Sequence, residues 1–171
     1  NSMFNWYKNA EICYAYLSDV QFDYNEYVLG SRDCSPDEFR QSKWFTRGWT
    51  LQELLAPRQL RFFSRRWIDL GDRGALWSVV SIATGIEGWS SYKTATIAQK
   101  MSWASRRETT RIEDRAYSLM GLFAVNMPPL YGEGENAFIR LQLEILRISD
   151  DESIFAWEDP ADDNGGLLAR S

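Results

Sequence analysis

Histidine is missing from all 171 residues, and cysteine occurs only twice, as Cys13 and Cys34. Without an imidazole, the chain cannot build a Ser-His-Asp triad, a Cys-His dyad or a histidine general base. The two cysteines do not form a Cys-x-x-Cys pair, so no structural zinc site and no other metal is expected. No stretch approaches the ~18 apolar residues of a membrane-spanning helix, and no membrane partner is expected. A basic excess is also lacking. Lys and Arg number 19 against 24 Asp and Glu, the net charge is -5 and the pI is near 4.9. That balance excludes the footprint of a nucleic-acid binder. Arg106, Arg107, Arg111 and Arg115 cluster locally, but Glu108, Glu113 and Asp114 lie among them, which predicts a solvated, salt-bridged face. The remaining chemistry must run on carboxylates, hydroxyls, a thiol, Lys or Arg.

Aromatic residues are plentiful: eight Trp, eight Tyr and nine Phe. They imply a core, and a pocket, built on rings. Hydrophobic residues at 44% and charged residues at 25% are those of an ordinary globular protein. No secretory leader is visible, and Asn1-Ser2-Met3-Phe4-Asn5-Trp6 reads as the middle of a folded helix. The expectation is a cytosolic protein of which this chain is a fragment.

Met3, Phe4, Trp6 and Tyr7 fit the last turns of an amphipathic helix over 1–10. Glu11 to Leu17 reads as a buried strand. Residues 20–41 read as a long surface loop with a short helix at 36–40. Ser42 predicts the cap of a helix over 43–56, with Trp44, Gly48, Leu51 and Leu55 on one stripe and Pro57 ending it. Leu60-Arg61-Phe62-Phe63 reads as a strand, and Trp67 to Gly71 as a turn. Further helices are expected at 74–84, using Leu76, Val79, Val80 and Ala83, and at 95–106, using Ile97, Met101 and Ala104. Thr110-Arg111-Ile112-Glu113 matches a capping box opening a helix lined by Ile112, Ala116, Leu119, Met120 and Phe123. Asn136 can cap a last helix with Phe138, Leu141, Ile145 and Ile148 inward. Ser153 to Trp157 reads as a strand or extended arm.

Strand, helix, strand and then helices define an α/β part followed by a mainly helical extension. The predicted units are 1–70, 71–158 and a flexible tail at 159–171. So few strands do not make a doubly wound sheet, so more are expected upstream of residue 1.

Three segments resemble the fungal heterokaryon-incompatibility (HET) domain and the region that follows it. Asn1 to Tyr7, continuing through Cys13-Tyr14-Ala15-Tyr16-Leu17-Ser18-Asp19-Val20, is similar to the middle of that domain. Ser42 to Pro57, which contains Arg47-Gly48-Trp49-Thr50-Leu51-Gln52-Glu53, resembles its closing motif, an Arg-x-Trp-Thr-x-Gln-Glu run. Ala98 to Ala104, Asp114 to Phe123 and Tyr131-Gly132-Glu133-Gly134 resemble the helical segment after the core in large vegetative-incompatibility proteins. The family's opening strands, with their Trp-Ile-Asp-x-x-Cys-Ile type motif, have no counterpart here. The resemblance implies the C-terminal part of a TIR-like (flavodoxin-like) parallel-sheet domain. It implies a role in self/non-self recognition that triggers programmed cell death when unlike fungal cells fuse. Self-association is the implied partner mode, beside a nucleotide-binding oligomerisation module and repeats, in the cytoplasm.

Enzymatic TIR domains place a catalytic Glu four residues after a Trp on a helix, and Trp49 and Glu53 share that spacing. At ~100° per residue the two lie side by side, turned away from the Trp44, Leu51 and Leu55 stripe. One carboxylate can stabilise the oxocarbenium character that develops when NAD loses nicotinamide. The resemblance thus implies Glu53 as the catalytic residue, with Trp49 stacking on a ring and Arg47 meeting a phosphate. NAD would be substrate, and no resident cofactor is expected. The plainer reading stays open beside it: Glu53 solvated or ion-paired, Trp49 packing, Arg47 in water. The alternative function is a non-catalytic module that signals by assembly. Tyr131-Gly132-Glu133-Gly134 lacks a Gly-Lys-Ser/Thr and reads as a plain turn before a helix. Glu113 is expected to close its capping box and Asp114 to pair with Arg111 or Arg115. Cys13 reads as an inert core thiol, and Cys34 as an unactivated loop thiol.

Overall fold

The computed structural model describes residues 3–21 and 36–156. The readings of residues 22–35, including Cys34, and of 157–171 lie outside these.

The first helix, α1 (Met3–Asn9), leads into β1 (Cys13–Tyr16). A short α2 (Pro36–Arg40) follows, then a 3-10 helix (Lys43–Thr46) and α3 (Thr50–Leu55). This connection returns the chain to β2 (Leu60–Phe63), which pairs in parallel with β1, Cys13 opposite Leu60 and Tyr16 opposite Phe63. A parallel neighbour requires such a crossover. β3 (Asp69–Asp72) then adds antiparallel to β2, giving a three-stranded sheet of order β1-β2-β3. The remainder is helical: α4 (Trp77–Thr84), a 3-10 helix (Trp89–Lys93), α5 (Ile97–Ser105), α6 (Asp114–Tyr117), α7 (Asn136–Ile148) and a 3-10 helix (Glu152–Phe155). The chain is therefore a mixed α/β protein.

The rings explain themselves in the core. Phe62 of β2 meets Phe39 edge-on at 5.2 Å and Trp44 at 5.6 Å, and Phe39 lies 5.2 Å from Phe45. Edge-to-face contacts of this kind add to simple burial. Leu51, Leu54 and Leu55 of α3 close over the same cluster, which runs on into Leu119, Leu122, Leu141 and Ile145.

Several expectations need correcting. β1 is not a buried strand: only Ala15 and the following Leu17 are enclosed, while Tyr14 is 57% exposed. The helix expected over 43–56 is two helices. Arg47 is extended (φ -82°, ψ 139°), because Gly48 N–H donates to Glu108 O at 2.8 Å and Glu108 N–H donates to Thr46 O. Gly48 permits this approach, since an added Cβ would sit 2.4 Å from Thr109 Cγ2. Residues 67–71 are not only a turn. Trp67 turns the chain in the left-handed region (φ 60°), and Asp69 onward forms β3, held by an Arg61–Asp69 ion pair at 2.5 Å.

The Thr110–Glu113 capping box does not form. Glu113 instead accepts from Gly132 N–H at 2.7 Å and Gly134 N–H at 3.2 Å, tying down the Tyr131 turn. Asp114 receives the Tyr131 hydroxyl at 3.0 Å. A capping box does open α5, between Thr96 and Gln99. Asn136 begins α7 without capping it. Ile112 and Ile148 face outward, 41% and 60% exposed. The arm expected from Ser153 is instead the last 3-10 helix; Asp151 and Ser153 beside it accept Ile97 N–H and Ala98 N–H, satisfying the start of α5.

Candidate functional site around Glu53

Trp49 already has helical dihedrals (φ -63°, ψ -30°), so Trp49 and Glu53 keep their one-turn spacing. Their surroundings differ from the sequence reading. Both are half-buried, and Trp49 packs against the core cluster. Splitting the helix takes Trp44 off the Leu51 and Leu55 stripe and brings its side chain into hydrogen bonding with Glu53. α1 covers the other side, and the Tyr7 hydroxyl donates to Glu53 Oε1 at 3.1 Å.

Charge shapes the same spot. Burial pushes the Glu53 pKa above the usual carboxylate value, and the bonds from Tyr7 and Trp44 and the charges of Arg47 and Arg107 oppose it only in part. Burial also raises the Tyr7 phenol well above its ordinary value, with Glu53 adding to the shift. The Cys13 thiol is pushed up to about 11, by burial first and by Glu53 next. That thiol is half-buried, and it stays protonated at neutral pH.

Arg107 is the residue the sequence reading misplaced most. It does not belong to a solvated face; it is 5% exposed. Its Nη1 donates to Arg47 O and Thr50 Oγ1, both at 2.9 Å, and its Nε to Trp103 O at 3.2 Å. Its Nη2 finds no partner among the described residues, nor does Gln52 Oε1. The Gln52 amide nitrogen donates to Ser118 O. Burial lowers the Arg107 pKa to about 10, and Glu53 works against that shift. Arg107 therefore remains a cation at neutral pH, 54 positions along the chain from the carboxylate it faces electrostatically. No local motif announces that pairing. Tyr7 comes from α1, Trp44 from the 3-10 helix and Arg107 from the loop after α5, so only the fold brings them to Glu53.

Arg47 itself is exposed, and its charge reaches Glu53 while its carbonyl holds Arg107. Thr50 Oγ1 lies 2.5 Å from Trp44 O and 2.8 Å from Arg47 O, locking the break between the two helices. The arrangement offers a carboxylate of raised proton affinity between indoles and two arginines. Among the described residues, no group of three or more His, Cys, Asp and Glu could hold a metal ion, and no helix is long and apolar enough to cross a membrane.

This mixed α/β chain is homologous over its whole length to part of a fungal vegetative incompatibility protein. That relative is the vegetative incompatibility protein HET-E-1 of Podospora anserina, 41% identical over 188 aligned residues. The alignment takes in 100% of this chain but 13% of HET-E-1, so the chain spans a small share of its relative. The match supports the likeness to a HET-type heterokaryon-incompatibility protein. No family model matches the chain. No solved structure matches it.

Proposed function

We propose that this chain is part of a cytoplasmic HET-type effector of vegetative incompatibility, whose activation kills the mixed cell formed when unlike fungi fuse. The observation that carries the reading is the 41% identity to HET-E-1 along the entire chain. The TIR-like fold is part of the same proposal; a parallel β1–β2 pair joined through helices is consistent with it.

The finer reading is that the complete protein cleaves NAD. In that step the bond between nicotinamide nitrogen and ribose C1′ breaks, and nicotinamide leaves with the electron pair. The ionised Glu53 stabilises the ribosyl cation, water adds at C1′, and its proton passes to Glu53 and then to solvent. Trp49 would stack on a ring and Arg47 would meet a phosphate. Support comes from the raised pKa of Glu53 and the two arginines beside it.

A second reading, signalling by assembly alone, draws on a different observation. The Glu53 carboxylate is already bonded to Tyr7 and Trp44, as a structural residue would be. Full-length protein incubated with NAD separates the two. Release of nicotinamide by the natural protein and its loss in Glu53→Gln, which keeps the shape of the side chain, supports catalysis. Undiminished release by Glu53→Gln, or none from an assembled natural protein, sinks it.

A further inference from the structure

A cavity of about 300 Å³ opens between the β2–β3 hairpin and the 3-10 helix at Trp89. Its lining includes Arg58, Arg61, Asp72, Arg73, Gly74 and Trp89, and none of Glu53, Trp49 and Arg47. The cavity is thus separate from the Glu53 site, and a ligand held in it is independent of whether Glu53 is catalytic.

The charge of this cavity is out of character for an acidic chain. Arg73 is 3% exposed. Its Nη1 donates to Leu54 O and its Nη2 to Pro57 O at 2.8 Å and Arg58 O at 3.3 Å. Its guanidinium carbon lies 4.2 Å from the centre of the Trp89 ring. Every hydrogen bond it makes among the described residues therefore ends on a main-chain carbonyl, and its guanidinium also meets the Trp89 ring. Buried charges are ordinarily paired. The carboxylate of Asp72, next in sequence, accepts Ala75 N–H at 2.9 Å at the head of α4. Arg58 and Arg61 are exposed on the same lining, and among the described residues Arg61 alone of the two has an ion-pair partner, Asp69. A hollow lined by three arginines against the one carboxylate of Asp72 concentrates positive potential.

The ligand chemistry follows from these groups. Arginines at such a spot favour phosphate, which the planar guanidinium grips through paired N–H donors. Trp89 is 39% exposed, which leaves indole surface for a planar ring. A volume of about 300 Å³ stands at the small end of ligand pockets and suits a ligand of mononucleotide size better than a whole dinucleotide. We propose that this cavity binds a small aromatic phosphate of mononucleotide size, its phosphate between Arg58 and Arg61 above Arg73 and its ring against Trp89.

Calorimetric titration of the purified protein with AMP, adenosine and inorganic phosphate tests this. AMP is expected to bind saturably and to weaken as salt rises, with adenosine and phosphate each at least ~10-fold weaker. Arg58→Gln/Arg61→Gln, which forfeits the exposed Arg61–Asp69 pair but should still give a cooperative melt, should weaken AMP by ~10-fold or more. Trp89→Leu should bring AMP down to the affinity of phosphate. Absence of saturable AMP binding at millimolar concentration overturns the proposal. So does AMP binding that the double variant retains in full, or phosphate binding as tightly as AMP.

Discussion

Gly121→Ala should loosen the clamp that holds α1 over Glu53. A Cβ added at Gly121 would lie 2.2 Å from Phe4 Cβ and 2.8 Å from Phe4 Cγ. Ordinary contact begins at 3.4 Å, so the pair must separate by 3.4 minus 2.2, or 1.2 Å. The Cβ of Phe4 cannot swing away on a side-chain torsion, so α1 itself must move. Phe4 is buried and stands edge-on to Tyr92 at 6.0 Å, so moving it also disturbs that contact. Overpacking of this kind costs ~1–3 kcal/mol. For a domain of this size, that lowers the thermal midpoint by ~2–12 °C. Tyr7, one turn along α1 from Phe4, should leave hydrogen-bond reach of Glu53, now 3.1 Å away. Thermal unfolding followed by circular dichroism measures the first effect, and ultraviolet titration of Tyr7 the second, since its pKa should fall towards the ordinary phenol value. A midpoint within 1–2 °C of the natural protein, roughly the resolution of such a melt, together with an unmoved Tyr7 titration, would refute the docking of α1 on this turn.

Three other substitutions report on the same structure. Arg107→Met leaves Arg47 O, Trp103 O and Thr50 Oγ1 without their donor, and should cost ~3–5 kcal/mol in urea unfolding while raising the Glu53 pKa further. Burial holds the folded pKa of Glu53 above its ordinary 4.5, so its contribution to stability is complete below that pH and is lost as pH rises through the folded value. Glu53→Gln should therefore gain stability relative to the natural protein as pH rises from 4 towards 8; an identical pH profile for the two contradicts the burial of the carboxylate. The hydroxyl of Tyr117 accepts Leu130 N–H and donates to Glu133, both at 2.7 Å. Tyr117→Phe should cost ~1–3 kcal/mol by chemical denaturation and release the Tyr131 turn to faster amide exchange.

Much of the fold is legible in the chain because its signals are local. Aromatic and apolar runs announce β1 and β2, and the three-to-four residue spacing of Leu141 and Ile145 announces α7. What is not legible depends on neighbours. β3 is Asp-Leu-Gly-Asp, residues that strands seldom use, and it forms because β2 offers an open edge and Arg61 offers Asp69 a charge. The helix over 43–56 looks unbroken by periodicity. It breaks at Gly48 because the chain near Glu108, 60 residues later, pairs with Arg47 there. The Trp49 and Glu53 spacing is readable, since it is local. The roof over Glu53 is not, since Tyr7 and Arg107 lie far away on both sides in sequence. Arg107 sits in an Arg- and Glu-rich stretch that has every mark of a solvated face, and only burial against α3 distinguishes it from Arg106 and Arg111. Arg73 is hidden in the same way, in a charged turn whose interior position no pattern reveals.

Forced expression of the full-length protein in fungal cells, with surviving colonies counted, bears most directly on the proposed role. Cells carrying the natural protein should die once it is activated, and those carrying Gly48→Trp, which drives a large side chain into Thr109 and unseats this segment, should live. Equal survival with both proteins, or equal killing by both, would contradict a death effector that acts through this stretch of chain.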